Sequence, residues 1–448
     1  MRVGFRRPVP AILLSALLLG ACASPTPSWL ASGSAATGPA ATSVASPSAA
    51  PTPVLASASP LASVPPSGSP APSPAAADRW VRVDSIEQPT RLTSLAPLDS
   101  AGNPVNGCGT CHPPIATVLV DAASGHGGVV AVGYELPSFA GAVWWSADGN
   151  TWTIDTPAFT GISMLASVAA DDNGYLAVGR SGDGAGAWRS SDGRSWTQAP
   201  SAGGIATPHL RLLSVTNWKG GFVAAGYVGA EFGEADAAFL TSPDGRTWTL
   251  APTSPATRSA RAVSVTATGA ELVAVGSTGP GSTGPAAIWT SADGIAWTRV
   301  ADSPALSDLR LRAVAPDSAV RGAVAVGENT AGSIGAVLRS SDGVTWERLP
   351  ADPALGREGI QVRMYDVTTT GRGLVVVGVV TEGIQYGVAA IWRLSGTTWT
   401  LEPASEMLSD GEINALVPLG THLFGVGDRG APDAYIATVW RSPDGWAP

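Results

Sequence analysis

The chain has 448 residues and a formal net charge of −9, from 26 basic and 35 acidic groups. This acidic balance argues against nucleic acid or an anionic lipid surface as a partner, because both require basic patches. No phosphate loop, zinc-binding pattern or Ser/His/Asp signature is present, so the sequence predicts no cofactor, no metal and no catalytic residue.

The first predicted element is an export signal over residues 1–21. Three arginines precede an apolar stretch, residues 11–19, that is too short to span a bilayer as a stable helix. It ends in Leu19-Gly20-Ala21-Cys22, which resembles a bacterial lipobox. The resemblance implies that Cys22 becomes the lipidated first residue of a cell-envelope protein, on the outer face of the cytoplasmic membrane or on the outer membrane. The alternative is an ordinary secreted protein with a chance cysteine.

Residues 22–77 are predicted to be the lipidated cysteine followed by a disordered tether. The segment is rich in Ala, Ser and Pro and carries no charge before Asp78. It offers too little apolar surface to offset the entropy of ordering. The lipid is therefore the only predicted contact with the membrane, and residues 78–448 form the folded domain.

Seven strand-like runs that end in glycine recur along this domain at intervals of 46 to 51 residues. They are residues 129–133, 175–179, 222–226, 272–276, 323–327, 374–378 and 423–427. A period of this length with four short strands per unit is typical of an all-β propeller of seven blades. The glycine after each second-strand run is expected to let the chain leave the strand.

A Ser-x-Asp-Gly-x-x-Trp turn follows most third strands. Its aspartate is expected to accept hydrogen bonds from backbone N–H groups, its glycine tolerates positive φ, and its tryptophan would pack against the neighbouring blade. The turns resemble the Asp-box, or bacterial neuraminidase repeat, of sialidase-type propellers. The resemblance implies a structural role for the aspartates Asp148, Asp192, Asp244, Asp293, Asp342 and Asp444. The sixth unit has a degenerate turn, Leu394-Ser395-Gly396-Thr397-Thr398-Trp399, without aspartate.

The last unit ends before its fourth strand could form. The segment Asp78-Arg79-Trp80-Val81-Arg82-Val83 has the character of that strand. We therefore expect the N-terminal segment to close the ring as the outer strand of the seventh blade, because closure removes exposed sheet edges. The alternative is an open ring with Trp80 in the linker.

Four arginines recur fifteen residues before the second-strand glycines: Arg211, Arg261, Arg312 and Arg363. Repetition should bring them onto one ring near the channel mouth, where their guanidinium groups could bind an anion. The alternative is that each pairs with a nearby acid such as Glu358, Asp308 or Glu412.

Cys108 and Cys111 lie in the run Cys108-Gly109-Thr110-Cys111-His112, which matches the attachment pattern of c-type haem. Pro113 and Pro114 follow directly, and no helical periodicity surrounds the run, so a loop-pinning disulfide is the preferred interpretation for an exported protein. Haem attachment, a metal and free thiols remain alternatives.

The predicted function is a monomeric envelope lipoprotein that binds an extracytoplasmic protein or glycan as a scaffold. Exported seven-bladed Asp-box propellers of the photosystem II assembly type, which this chain resembles, act as assembly scaffolds. The alternatives are a sialidase-like glycoside hydrolase, which needs two converging carboxylates, and a haem electron-transfer protein. The early Phe-Arg-Ile-Pro motif of sialidases is absent from this sequence.

Overall fold

The computed structural model describes residues 79–89, 116–125, 127–155, 159, 162–269, 271–383, 387–430 and 435–447. Seven separate β-sheets follow one another in this part of the chain; each has four antiparallel strands, and one of them carries an additional fifth strand. The first strands of successive sheets contact each other in a closed circle. The prediction of a seven-bladed β-propeller is therefore confirmed, with each sheet forming one blade.

Blades 1 to 4 each consist of four strands in chain order from the centre outwards. Blade 1 contains β3 (Ala116–Gly125), β4 (Gly128–Leu136), β5 (Gly141–Ser146) and β6 (Thr151–Asp155). Blade 2 contains β7 (Leu165–Asp171), β8 (Gly174–Ser181), β9 (Gly184–Ser190) and β10 (Thr197–Gln198). Blade 3 contains β11 (Leu210–Trp218), β12 (Gly221–Gly229), β13 (Ala235–Ser242) and β14 (Thr249–Leu250). Blade 4 contains β15 (Ala260–Thr268), β16 (Glu271–Thr278), β17 (Ala286–Ser291) and β18 (Thr298–Arg299).

Blades 5 and 6 repeat this order, and blade 7 takes its outer strand from the other end of the chain. Blade 5 contains β19 (Leu309–Asp317), β20 (Gly322–Asn329), β21 (Gly335–Ser340) and β22 (Glu347–Arg348). Blade 6 contains β23 (Ile360–Thr370), β24 (Gly373–Glu382), β25 (Val388–Ser395) and β26 (Thr398–Leu401). Blade 7 contains β27 (Gly411–Leu419), β28 (His422–Arg429), β29 (Ile436–Arg441) and β1 (Val81–Arg82). Within the described residues, three 3₁₀ helices lie between strands, at Gly203–Ala206, Pro280–Ser282 and Pro353–Leu355.

The ring is closed by the N-terminal strand, as predicted. β1 pairs antiparallel with β29, with Val81 opposite Arg441 and Arg82 opposite Trp440. Trp80 is buried between blades 6 and 7. The chain then adds β2 (Ser85–Ile86) in parallel to β6, so a fifth strand covers the outer edge of blade 1. This strand was not predicted from the sequence.

A β-bulge interrupts the pairing of the first and second strands in every blade, and a glycine of the second strand lies beside it. A β-carbon at Gly226 would collide with the carbonyl oxygen of Arg211, and one at Gly133 with that of Val118. β4 continues beyond Gly133 to Leu136. The glycine is thus required for close backbone approach, and the expectation that it ends the strand was wrong.

Seven of the eight hydrophobic clusters among the described residues lie at the seven junctions between neighbouring blades, one at each junction. A tryptophan at the start of each outer strand packs in the cluster shared with the preceding blade. They are Trp152, Trp196, Trp248, Trp297, Trp346, Trp399 and Trp80. Large indole rings at each junction stabilise the contact between sheets through buried apolar area.

Candidate functional site

The two ends of the propeller carry different connections. We call loop face the end with the loops between second and third strands and the connections to the next blade. We call turn face the end with the loops between first and second strands and the Ser-x-Asp-Gly turns. In an antiparallel blade these connections must alternate between the two ends.

The pairing register decides which arginines are equivalent. Arg211, Arg261 and Arg363 each precede the residue that pairs with the second-strand glycine. In blade 5 that position belongs to Arg310, while Arg312 is the bulge residue, because the β19–β20 connection is two residues longer than those of blades 3 and 4. The fixed count of fifteen residues therefore selected Arg312 in error as the fourth member of the ring.

Arg211 and Arg261 each hold a loop of the preceding blade. Arg211 donates from Nη1 to the carbonyl oxygen of Asp183 at 2.6 Å. Arg261, only 1% exposed, donates from Nη2 to the carbonyl oxygens of Ala230 at 2.5 Å and Gly233 at 3.0 Å. Its guanidinium also lies 4.1 Å from the ring centre of Tyr227. Both side chains therefore fix loop backbone on the loop face.

A second cluster lies at the channel mouth between blades 5, 6 and 7. Arg312 forms a two-pronged ion pair with Glu328, which is 1% exposed. Tyr365 donates to Oε2 of Glu412 at 3.3 Å. Burial first, and then the charge of Glu412, raises the pKa of Tyr365, so the phenol stays protonated. Arg312 thus binds an acid, but not one of the three that the sequence suggested.

Among the described residues of the loop face, the most exposed large apolar side chain is Phe232, which is 55% exposed. It lies at the tip of loop 230–234, and the N–H of Ala230 donates to the carbonyl oxygen of Glu234 at 3.1 Å. Gly281 of the next blade donates its N–H to Gly233 at 3.2 Å. With the two bonds from Arg261, four hydrogen bonds restrict this short loop, and no feature of the repeat pattern predicts them.

Seven backbone N–H groups of the innermost strands form hydrogen bonds with side chains near the channel axis. Five side chains at equivalent strand positions accept all seven: Asp121, Ser167, Ser214, Ser264 and Asp366. Each serine accepts from the next blade, as when Val265 donates to Ser214 Oγ at 3.1 Å. The signal in the sequence was the recurrence of Ser or Asp twelve residues before the second-strand glycine. We call this set the inner acceptor ring.

The two carboxylates of the inner acceptor ring have perturbed acidity. Burial raises the pKa of Asp121 to about 6, although Ser167, Val168 and Ala122 donate hydrogen bonds to it. Burial raises the pKa of Asp366 to about 7, and the charge of Asp121 contributes to the shift. Both groups therefore titrate in a range where free aspartate is fully ionised.

On the turn face, five of the six predicted aspartates share one geometry. Asp293 Oδ1 accepts from the N–H groups of Ile295 and Ala296 at 2.8 and 2.7 Å, and Ser291 Oγ lies 3.1 Å away. Asp148, Asp192, Asp244 and Asp342 have the same partners in their own turns. Hydrogen bonds from Thr345 and Val344 lower the pKa of Asp342 to about 2.

Asp444 differs from the other five. Its Oδ1 accepts from Thr421 Oγ1 at 2.7 Å and lies 3.1 Å from His422 Nε2. The N–H groups of Gly445 and Trp446 donate to the carbonyl oxygen of Thr421 instead. Asp444 therefore fixes the C-terminal segment to the β27–β28 connection and does not repeat the geometry that the turn pattern predicted.

Several predicted residues lie outside the described part of the chain: Cys22, Cys108 and Cys111. Among the described residues, no group of three or more His, Cys, Asp or Glu could hold a metal ion. None of the helices in that part is long and apolar enough to cross a membrane.

No protein-family model matches the chain, and no curated protein does. A solved structure described as YCF48 bound to D1 peptide is 16% identical, with a TM-score of 0.49, over 73% of this chain and 92% of that one. The Trypanosoma rangeli sialidase is 16% identical, with a TM-score of 0.40, over 73% of this chain and 55% of the sialidase.

An exo-β-1,3-galactanase variant from Phanerochaete chrysosporium with bound β-1,3-galactotriose is 11% identical, with a TM-score of 0.35. The match covers 51% of this chain and 58% of the galactanase, so this chain spans little more than half of either enzyme. At such low identity and overlap, these likenesses assign no activity, because one fold supports many functions.

Proposed function

We propose that this chain is a protein-binding scaffold of the cell envelope, attached to the membrane through lipid on Cys22, and that its loop face holds a partner without catalysis. The observation that carries the proposal is Phe232, exposed at the tip of a loop that the buried Arg261 holds at both ends.

An exposed aromatic ring on a fixed loop favours binding for two physical reasons. Aromatic side chains supply a large share of the energy at protein interfaces, because burying the ring removes much apolar surface from water. A loop that is already ordered loses less conformational entropy on binding. Each side chain that need not be immobilised saves about 0.5–1.5 kcal/mol of binding free energy.

The charges around Phe232 suggest the chemistry of the partner. Glu231 and Glu234 flank the ring in sequence, and on the neighbouring blade Asp183 is almost fully exposed, with Arg180 3.7 Å from its carboxylate. The chain as a whole is also acidic, with a net charge of −9. We expect a partner segment with an apolar side chain or pocket for Phe232 and with Lys or Arg beside it, because complementary charge favours association.

A glycoside hydrolase is the second candidate. The observation in its favour is the Tyr365–Glu412 pair beside the guanidinium groups of Arg312 and Arg363. Tyr365 and Glu412 are only 6% and 5% exposed, and Glu328 already binds Arg312. Substrate could not reach the pair in this arrangement, which is why binding without catalysis is the preferred function.

Site-specific photo-crosslinking tests the proposal in the native envelope. The full-length chain would carry p-benzoylphenylalanine in place of Phe232, or in place of Ile295 as a control that is 46% exposed on the turn face. We expect one defined protein adduct from position 232 and none of the same mass from position 295. No adduct from position 232, or the same adducts from both positions, would overturn the proposed binding face.

The hydrolase candidate has its own test. The wild-type chain and Tyr365→Phe would be compared for release of a fluorescent aglycone from sialosides and other glycosides. A scaffold shows no turnover for either protein. Turnover that the Tyr365→Phe variant loses would establish the second candidate in place of the first.

A further inference from the structure

A groove of 730 Å³ opens on the turn face between blades 6 and 7. Its lining includes Arg372, Arg393, Ser395, Thr400 and Trp446. The guanidinium carbons of Arg372 and Arg393 lie 5.3 and 4.9 Å from the ring centre of Trp446. Trp446 is 6% exposed, so its indole serves as a fixed support for both cationic groups.

The groove lies where the repeated turn is lost. In blade 6, Ser395 pairs with Thr398 across a two-residue turn, whereas blades 1 to 5 have a longer Ser-x-Asp-Gly turn at this place. The shorter turn leaves space, and it also removes the aspartate that would place a negative charge beside the arginines. The degenerate sequence of the sixth unit thus has a structural consequence.

Two other grooves on the turn face are smaller than the groove of blades 6 and 7 and differ from it in charge. The groove between blades 2 and 3 has a volume of 470 Å³, and its Arg189 is neutralised by Asp171 at 3.1 Å. The groove lined by blade 4 has 290 Å³ and contains Glu271 and Asp293. The groove of blades 6 and 7 is the largest of these three and the one with two arginines on one indole.

The two arginines are unequally neutralised. Arg393 lies 2.6 Å from Oε1 of Glu402, whose pKa is raised by burial. Arg372 contacts the carbonyl oxygen of Asp444 at 3.5 Å, and no carboxylate within the described ranges lies at salt-bridge distance from it. Arg372 is exposed at the edge of the groove.

We propose that this groove binds an anionic group, a carboxylate or a phosphate, carried by a glycan or a small molecule, as a site independent of the loop face. Arg372 supplies the main charge-assisted hydrogen bonds, since a guanidinium matches the geometry of both anions. The hydroxyls of Ser395 and Thr400 are available as further donors at the same groove.

Calorimetric titration of the full-length protein tests this site, with glucuronate as the carboxylate probe and inorganic phosphate as the second. The variants are Arg372→Gln, which alters an exposed side chain, and Arg246→Gln, which alters the equivalent groove of blades 2 and 3. We expect wild type and Arg246→Gln to bind at least one probe and Arg372→Gln to bind it at least roughly tenfold more weakly.

The two probes separate the sources of the anion. Preference for glucuronate identifies an acidic glycan, and preference for phosphate identifies a phosphorylated ligand. Absence of binding by wild type, or equal binding by Arg372→Gln, overturns the site. Because the loop face plays no part in this titration, its result does not depend on that of the crosslinking experiment.

Discussion

Asp366 of blade 6 supplies a hydrogen-bond acceptor that Ala313, at the equivalent position of blade 5, lacks. In blades 2 to 4 the serine at this position accepts the N–H of the following blade. The methyl group of Ala313 cannot, and the N–H of Val367 instead bonds to Oδ1 of Asp366, while Oδ2 accepts from Leu416. Asp121 compensates for Ala415 of blade 7 in the same way.

Removal of one acceptor from this ring should destabilise the propeller. Ser214→Ala leaves the buried N–H of Val265 without its partner, at an expected cost of about 1–3 kcal/mol in the free energy of unfolding. Asp366→Ala leaves the N–H groups of Val367 and Leu416 unpaired and should lower the free energy of unfolding more than Ser214→Ala does. Urea unfolding would measure both, with exposed Ser341→Ala as the control. Equal stability of Ser214→Ala and the control would contradict a stabilising role for the ring.

The carboxylates of the ring should make stability depend on pH. The pKa values of Asp121 and Asp366 are raised from 3.8 to about 6 and about 7. Between pH values of about 4 and about 7, the folded state binds more protons than the unfolded state. The free energy of unfolding therefore falls as the pH rises through this range. Asp366→Ser places a neutral acceptor at the position and should reduce this slope. An unchanged slope in denaturant series at successive pH values would show that Asp366 is not the titrating group.

Closure of the ring by the N-terminal strand predicts a large effect for a residue far from blade 7 in sequence. Trp80 is only 6% exposed. Trp80→Ala removes its buried indole and should lower the free energy of unfolding by about 3–5 kcal/mol. Phe232→Ala removes an exposed ring and should leave stability nearly unchanged. Thermal or urea unfolding of the two variants gives the comparison, and a minor effect of Trp80→Ala would mean that the closing strand contributes little.

Lipid attachment predicts where the protein resides. Cys22→Ala removes the thiol that would carry the lipid, so the protein should move from the membrane fraction to the soluble envelope fraction or the medium. Cys108→Ala, which leaves Cys22 in place, should remain with the membrane. If Cys22→Ala also sediments with membranes, another attachment must hold the protein there.

The repeat was readable from the sequence because each blade uses the same residues for the same physical task. The glycine beside the bulge recurs because any β-carbon there collides with the inner strand, and the outer-strand tryptophan recurs because each blade junction needs a large apolar group. Trp80 could be assigned to blade 7 by the same reasoning, although it precedes every other element.

The candidate sites were harder to predict from the sequence, because they depend on differences between blades. The β19–β20 connection of blade 5 has two extra residues, so counting fifteen residues back from the second-strand glycine selected Arg312. The pairing register makes Arg310 the residue equivalent to the arginines of the other blades. The role of Arg261 depends on a loop of the preceding blade, a contact that spacing within one repeat cannot reveal. Asp444 kept the turn pattern but not its geometry, because the outer strand of blade 7 is the N-terminal β1 and no outer strand follows this turn directly.

The most direct test of the proposed binding face is the affinity of its partner for two matched variants of this protein. Once crosslinking has identified the partner, its binding to full-length wild type, Phe232→Ala and Ile295→Ala would be measured by calorimetry. Burial of the Phe232 ring predicts that Phe232→Ala loses about 2 kcal/mol of binding free energy, roughly thirtyfold in Kd, while Ile295→Ala binds as wild type does. Equal affinity of Phe232→Ala and wild type would contradict the assignment of the binding site to loop 230–234.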